Sequence, residues 1–171
     1  MPLKHPDSIP KIPKTRNKKA QAAINAIPQK KPDKLEYVCK AFFYYDDMLQ
    51  KQYISLSVET IVEFTAFSYE LSVDIVREKN QIYLVLMGLF AKPNYAPQVQ
   101  PARKDNLFDD LIGDVIINVV KQDGSINAAV FNFNLVEKKI ELIKEYLPEK
   151  ENNRLFCKFA VAVEEFSFLD V

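Results

Sequence analysis

The chain has 171 residues, with 23 basic and 23 acidic side chains, 48% apolar residues and twenty aromatics (twelve Phe, eight Tyr). This length suits one domain, and this apolar content excludes a disordered chain. The longest apolar run, Ile82 to Ala91, is strand-sized and well short of the roughly 18 residues that cross a membrane, and the first residues lack a signal-peptide h-region. A soluble, cytoplasmic protein is therefore expected.

The balanced charge hides a split. Residues 1–34 hold nine Lys/Arg and two acids, a charge of +7, so the remainder, with 14 basic and 21 acidic residues, carries −7. Six of the ten prolines also lie in these 34 residues. The chain thus divides into a basic, Pro/Lys-rich arm (1–34) and one body (35–171). Ile9 to Lys14 reads as extended, because each Pro fixes φ and disfavours helix before it. A short helix capped by Thr15 and ending before Pro28 follows. Its apolar stripe is Ala20, Ala23, Ile24 and Ile27, and a helix this short needs a surface to lie on. We expect that surface to be the body or another chain.

From Leu35 the apolar period becomes two. Leu35 to Tyr45 forms one strand, and Asp46-Asp47 a turn. Ile54, Leu56, Val58, Val62 and Phe64 alternate with Ser and Glu; then the phase slips by one to Phe67, Tyr69, Leu71, Val73 and Ile75. A bulge or bend near Thr65-Ala66 would account for the slip. A turn at Arg77 to Asn80 brings the next strand back, with Ile75 opposite Ile82 and Val73 opposite Leu84. The other face of that strand carries Tyr83, Val85, Met87 and Leu89 opposite Ser68, Glu70, Ser72 and Asp74, an apolar row with no evident cover.

Lys92 to Asn106 reads as a 15-residue loop with three prolines, contributing Tyr95 and Arg103 as contact residues. Leu107 to Ile112 reads as a helical turn. Asp123-Gly124 marks a hairpin that pairs Val120 with Asn127. Val136 to Leu147 has the Val136, Ile140, Ile143, Leu147 spacing of a helix, and a last strand runs from Arg154 to about Glu164. The expected fold is mainly β: an antiparallel sandwich-like or strongly curved sheet of about seven strands, with an N-terminal helix and one before the last strand, α+β being the second choice. Only three glycines argue against a barrel, which must bend.

Catalytic motifs are scarce. No phosphate-cradling glycine loop, nucleophile elbow or H-E-x-x-H is present. The single histidine, His5, lies in the arm, so no Ser-His or Cys-His pair is expected in the body. Cys39 and Cys157 fall on inward phases and read as buried thiols, with no Cys/His metal cluster. The acidic pairs Asp46-Asp47, Asp109-Asp110 with Asp114, and Glu164-Glu165 read as turns and strand ends rather than acid–base pairs. Asn118, Asn132 and Asn134 mark edge positions or a polar groove.

We therefore expect a non-enzymatic interaction or assembly subunit, without cofactor, metal or membrane. It would use Lys11, Lys14, Arg16, Lys18, Lys19, Ile24 and Ile27 of the arm and the row Tyr83, Val85, Met87, Leu89. The partner is a protein or a second copy in a homodimer. The alternatives are nucleic acid held at its phosphates by the arm, and a small-ligand binder or carboxylate/Tyr-based enzyme.

Overall fold

A computed structural model describes residues 14–25, 32–65, 67–92, 98–150 and 152–170. One helix, α1 (Lys14–Asn25), precedes nine strands: β1 (Tyr37–Asp46), β2 (Lys51–Phe64), β3 (Tyr69–Glu78), β4 (Gln81–Ala91), β5 (Gln100–Phe108), β6 (Gly113–Lys121), β7 (Ile126–Asn134), β8 (Lys139–Tyr146) and β9 (Cys157–Val161). They form one mixed sheet in the order β8-β7-β6-β4-β3-β5-β2-β1-β9. The sheet curls until β8 and β9 approach each other. The mainly β reading holds. The sandwich, the count of seven and the purely antiparallel pairing do not, since β1–β9, β4–β6 and β3–β5 are parallel.

Curling buries one continuous face. Cys39, Ala41 and Phe43 from β1, Leu56 and Val58 from β2, Leu84 from β4, Ile117 and Val119 from β6, and Phe131 from β7 are fully buried together. Phe166 and Phe168, beyond β9, close one mouth by packing on Phe43 at 5.1 and 5.2 Å. Each fully buried side chain of this size contributes roughly 1.5–3 kcal/mol.

Side chains finish what the strand ladder leaves open. Asn127, 2% exposed, accepts at Oδ1 from the Phe156 and Cys157 N–H groups (2.8 and 2.9 Å). Its Nδ2 donates to the Ile126 and Arg154 carbonyls. It thus sews the start of β7 to the chain entering β9. Glu145 Oε1 accepts from the Phe159 N–H at 3.3 Å, joining β8 to β9. Across the body, β3 and β5 share only the Glu70–Arg103 bridge, and Arg77 spans the rest by donating to both oxygens of Asp110 at 2.8 Å.

Four expectations need correction. Residues 136–147 are not a helix but a turn followed by β8. Ile140 and Leu142 face Phe133 and Phe131 across the ladder, and Lys138 closes the hairpin at φ 54°. Without β8 the edge of β7 would be bare, and pairing it outweighs a helical spacing. The long loop is shorter than read, because residues 100–108 form β5; Ala102, Asn106 and Phe108 point inward while Arg103, Asp105 and Leu107 point out. The helical turn at 107–112 is therefore the end of β5 and a loop. The last strand stops at Val161, and a single 3₁₀ turn, Val163–Glu165, follows.

Registers shift slightly. Glu78 pairs with Gln81 and Val73 with Leu86, two residues from the expected pairing, so the inward set is kept. In the Asp-Gly hairpin Val120 meets Ile126 rather than Asn127. The slip near Thr65 separates two strands that are not neighbours, since β5 lies between β2 and β3. Scarcity of glycine did not prevent the curling. Gln50, Lys79 and Lys138 adopt left-handed φ at three tight turns, and Gly88 sits at the β3–β4 bulge with φ 134°.

Replacing Asn127 by Ala leaves two buried N–H groups unpaired, each worth about 1–3 kcal/mol. Urea unfolding of Asn127→Ala should show a loss of about 2–5 kcal/mol. A loss below about 1 kcal/mol would mean that closure does not rest on this amide.

Candidate interaction surfaces

With the interior filled, the places open to a partner are on the outside. The outward residues of β3, β4, β6, β7 and β8 form a grid fixed by the ladder registers. One row reads Glu78, Gln81, Ile116, Val130, Lys144; the next Val76, Tyr83, Asn118, Ala128, Tyr146; the third Asp74, Val85, Val120, Ile126. Across β4, β6 and β7 no position of this wall is charged. Its centre is a neutral hydrogen-bonded cluster: the Tyr83 hydroxyl donates to Gln81 Oε1 at 3.1 Å, and Asn118 Nδ2 donates to the Ile82 carbonyl at 3.3 Å. Charge-depleted, Tyr-bearing apolar surface is the composition of an interface centre.

Two of the four stripe residues belong to this wall. Tyr83 and Val85 are part-buried on it. Met87 and Leu89 do not continue the row, because the bulge opposite Ser72/Val73 shifts the phase: Gly88 pairs with Ser72 and Leu89 with inward-facing Leu71. Both are about half exposed at the far end of β4. Ile116, Val120, Ala128 and Val130 escaped the sequence reading, whereas Asn118, read as an edge or polar-groove position, sits at the centre of the wall. Part of their signal lay in the near-continuous apolar runs of β6 and β7, interrupted only by asparagines, which indicate strands apolar on both faces.

The outer face of β1, β2 and β5 is the opposite in character. Arg103 contacts Asp105 and Glu165 at 2.7 Å and Glu59 at 3.6 Å, and its guanidinium lies 5.4 Å from the Phe42 ring centre. Lys40 joins Glu59 at 2.6 Å. Arg103 is thus engaged within its own chain. Nearby, burial raises the Glu36 carboxyl, but Lys121 and Arg154 outweigh it and hold the group below the usual range.

A second apolar place lies where the 47–50, 109–112 and 135–138 turns gather. A cleft of about 530 Å³ runs over Ile54, Phe108, Leu111 and Phe133. Its lip carries Ile112 and Val136, 84% and 95% exposed, and Met48 stands equally free on the adjoining turn. The only carboxylate lining it, Asp109, is held below its ordinary range by its hydrogen bond to Lys51 at 2.5 Å.

The acidic pairs have structural tasks. Asp46 accepts from the Met48 and Leu49 N–H groups, Asp110 holds Arg77, and Asp114 accepts from Asn132. Among the described residues no three His, Cys, Asp or Glu side chains converge as a metal site, and no helix is long and apolar enough to cross a membrane.

On α1, Lys18, Lys19, Ala20 and Ala23 are exposed, so the expected docking of the stripe against the body is not seen at the two alanines. Lys14, Arg16 and Ile24 lie in the helix, but their side chains are outside the described residues, as are Lys11, Ile27, His5 and Tyr95 altogether. Comparison with protein-family models, curated proteins and solved structures gives no match for this chain.

Cys39 and Cys157 are buried as free thiols. Burial pushes the Cys39 thiol up to about 12; burial, with Cys39 nearby, also raises Cys157. The folded state therefore keeps protons that the unfolded chain gives up near pH 8.5. Stability should be level below that pH and fall as pH climbs toward about 12. Urea unfolding at stepped alkaline pH should show this fall, flatter in Cys39→Ala. An equal fall in both would assign it to other groups.

Proposed function

We propose that the protein is a non-enzymatic interaction or assembly subunit that meets its partner through the apolar sheet face around Tyr83 and Val85, with the basic arm as a second contact. The observation that carries this reading is the wall of β4, β6 and β7, uncharged from the Gln81, Ile116, Val130 row to the Val85, Val120, Ile126 row and neutral at its hydrogen-bonded centre, with the acid Asp114 one step beyond its end. A surface of that composition in water is costly unless another protein covers it. The lipped end cleft offers room for a further apolar contact. Asp46, Asp109, Asp110, Asp114 and Glu165, among the carboxylates considered for acid–base work, are engaged in turns, hydrogen bonds and ion pairs, which favours binding over chemistry.

The nucleic-acid alternative rests on the arm alone. The body's three arginines, Arg77, Arg103 and Arg154, are each engaged by a carboxylate. The sequence of α1 carries four cations and no acid. Retention on nucleic acid that weakens steeply with salt would support that alternative.

The native protein in cell extract should sediment in a complex heavier than its 19.7 kDa chain. Val85→Glu combined with Val120→Lys should release it at monomer size while the circular dichroism is unchanged. A wild type already at monomer size in extract would overturn the reading.

A further inference from the structure

Phe43, Ile54 and Phe108 are ladder neighbours on β1, β2 and β5, and with Phe133 of β7 they form an apolar layer at one mouth of the curled sheet. The chain closes this layer unevenly. Over Phe43 the tail lays Phe166 and Phe168. Over Ile54, Phe108 and Phe133 lies the cleft of about 530 Å³. The β5–β6 connection passes the ends of β3 and β4 and lines the cleft with Leu111, 5% exposed. Gly113, the partner of Phe133, adds no side chain, and a Cβ there would meet no heavy atom within 4 Å beyond its chain neighbours.

We propose that this cleft binds the uncharged aliphatic chain of a small molecule or lipid. The site is at the end of the sheet and is independent of the wall and of the assembly reading. Its volume lies within the roughly 300–1,000 Å³ of ligand pockets, and the mouth of a closed sheet is one of the places where such pockets form. It extends from the start of β2 to the β7–β8 turn, a path that suits an extended chain.

The lining sets the chemistry. Its floor is hydrocarbon and aromatic ring. Its amides are bound within the chain: Gln52 donates to the Tyr53 and Ser167 carbonyls, Asn132 donates to Asp114, and Asn134 accepts from the Glu137 N–H. Its one carboxylate, Asp109, is paired with Lys51. An ionised group entering the cleft would therefore lose its water without gaining a counter-charge, whereas a hydrocarbon chain carries no such cost. The rim residues Ile112 and Val136 are 84% and 95% exposed. A chain lying between floor and rim removes these two large apolar groups from water along with its own methylenes.

Straight-chain alkanols from butanol to decanol, titrated into the full chain and followed by methyl NMR, test this. Saturable shifts are expected at Ile54, Leu111 and Val136, and none at Val85 and Val120 of the wall. Affinity should rise about fourfold with each added methylene. Ile112→Glu combined with Val136→Glu, both at exposed positions outside the core, should weaken decanol binding at least about tenfold, while Val85→Glu should leave it unchanged. Where decanol binds, pelleting with neutral phosphatidylcholine vesicles identifies the source. Retention that is lost in the rim variant assigns the chain to a membrane lipid, and no retention assigns it to a free molecule. The proposal is overturned if no alkanol binds saturably, if affinity is indifferent to chain length, or if the shifts fall on the wall instead. It is also overturned if the rim variant binds decanol as the wild type does.

Discussion

A sheet buries one of its faces by itself only if its two ends meet, and here a buried amide makes them meet. Asn127 uses both halves of its side chain, accepting from Phe156 and Cys157 and donating to Ile126 and Arg154. The chain entering β9 is thereby fixed beside β7, which lets β9 run parallel to β1 on its other side. A side chain stands in for ladder hydrogen bonds at the point where the strands no longer align. Buried backbone groups must be paired somewhere, and closure is the way this chain pairs them.

Closure also decides where function can reside. Phe43, Phe131, Phe133 and Phe156 fill the interior, so recognition falls to the outside. The outside is divided by charge. Around Arg103 the outer strands carry a solvated ion network of modest energetic worth. Around Tyr83 and Asn118 they carry none. The first sector is compatible with water as it stands, whereas the second gains from being covered, at roughly 25 cal/mol per Å² of apolar surface removed from water. That difference, more than any single residue, is why the neutral wall is the candidate site.

Much of this was legible in the sequence. The period of two gave β1, the first half of β2, and the inward sets of β3 and β4, because half-buried strands write their burial directly into alternation. Tyr83 and Val85 were found by asking what covers the other phase. β5 was hidden because its inward positions include Asn106 and its outward ones a charged run, so no apolar alternation remained. β8 was hidden because Val136, Ile140, Ile143 and Leu147 fit a helix as well as a bulged edge strand, and only the need of β7 for a neighbour decides between them. Asn127 left no local signal, since the partners that tie it to the chain entering β9 are 27 to 30 positions away. The wall on β6 and β7 needed the strand order, which no periodicity contains.

The most direct measurement of the central claim is methyl NMR with a soluble paramagnetic probe, recorded on the isolated labelled chain and again after addition of unlabelled cell extract. Covering of the wall by a partner predicts that the methyls of Val85, Ile116, Val120 and Val130 lose probe broadening in the extract, while that of the exposed Met48 keeps it. Equal broadening of the wall methyls in both conditions would contradict it.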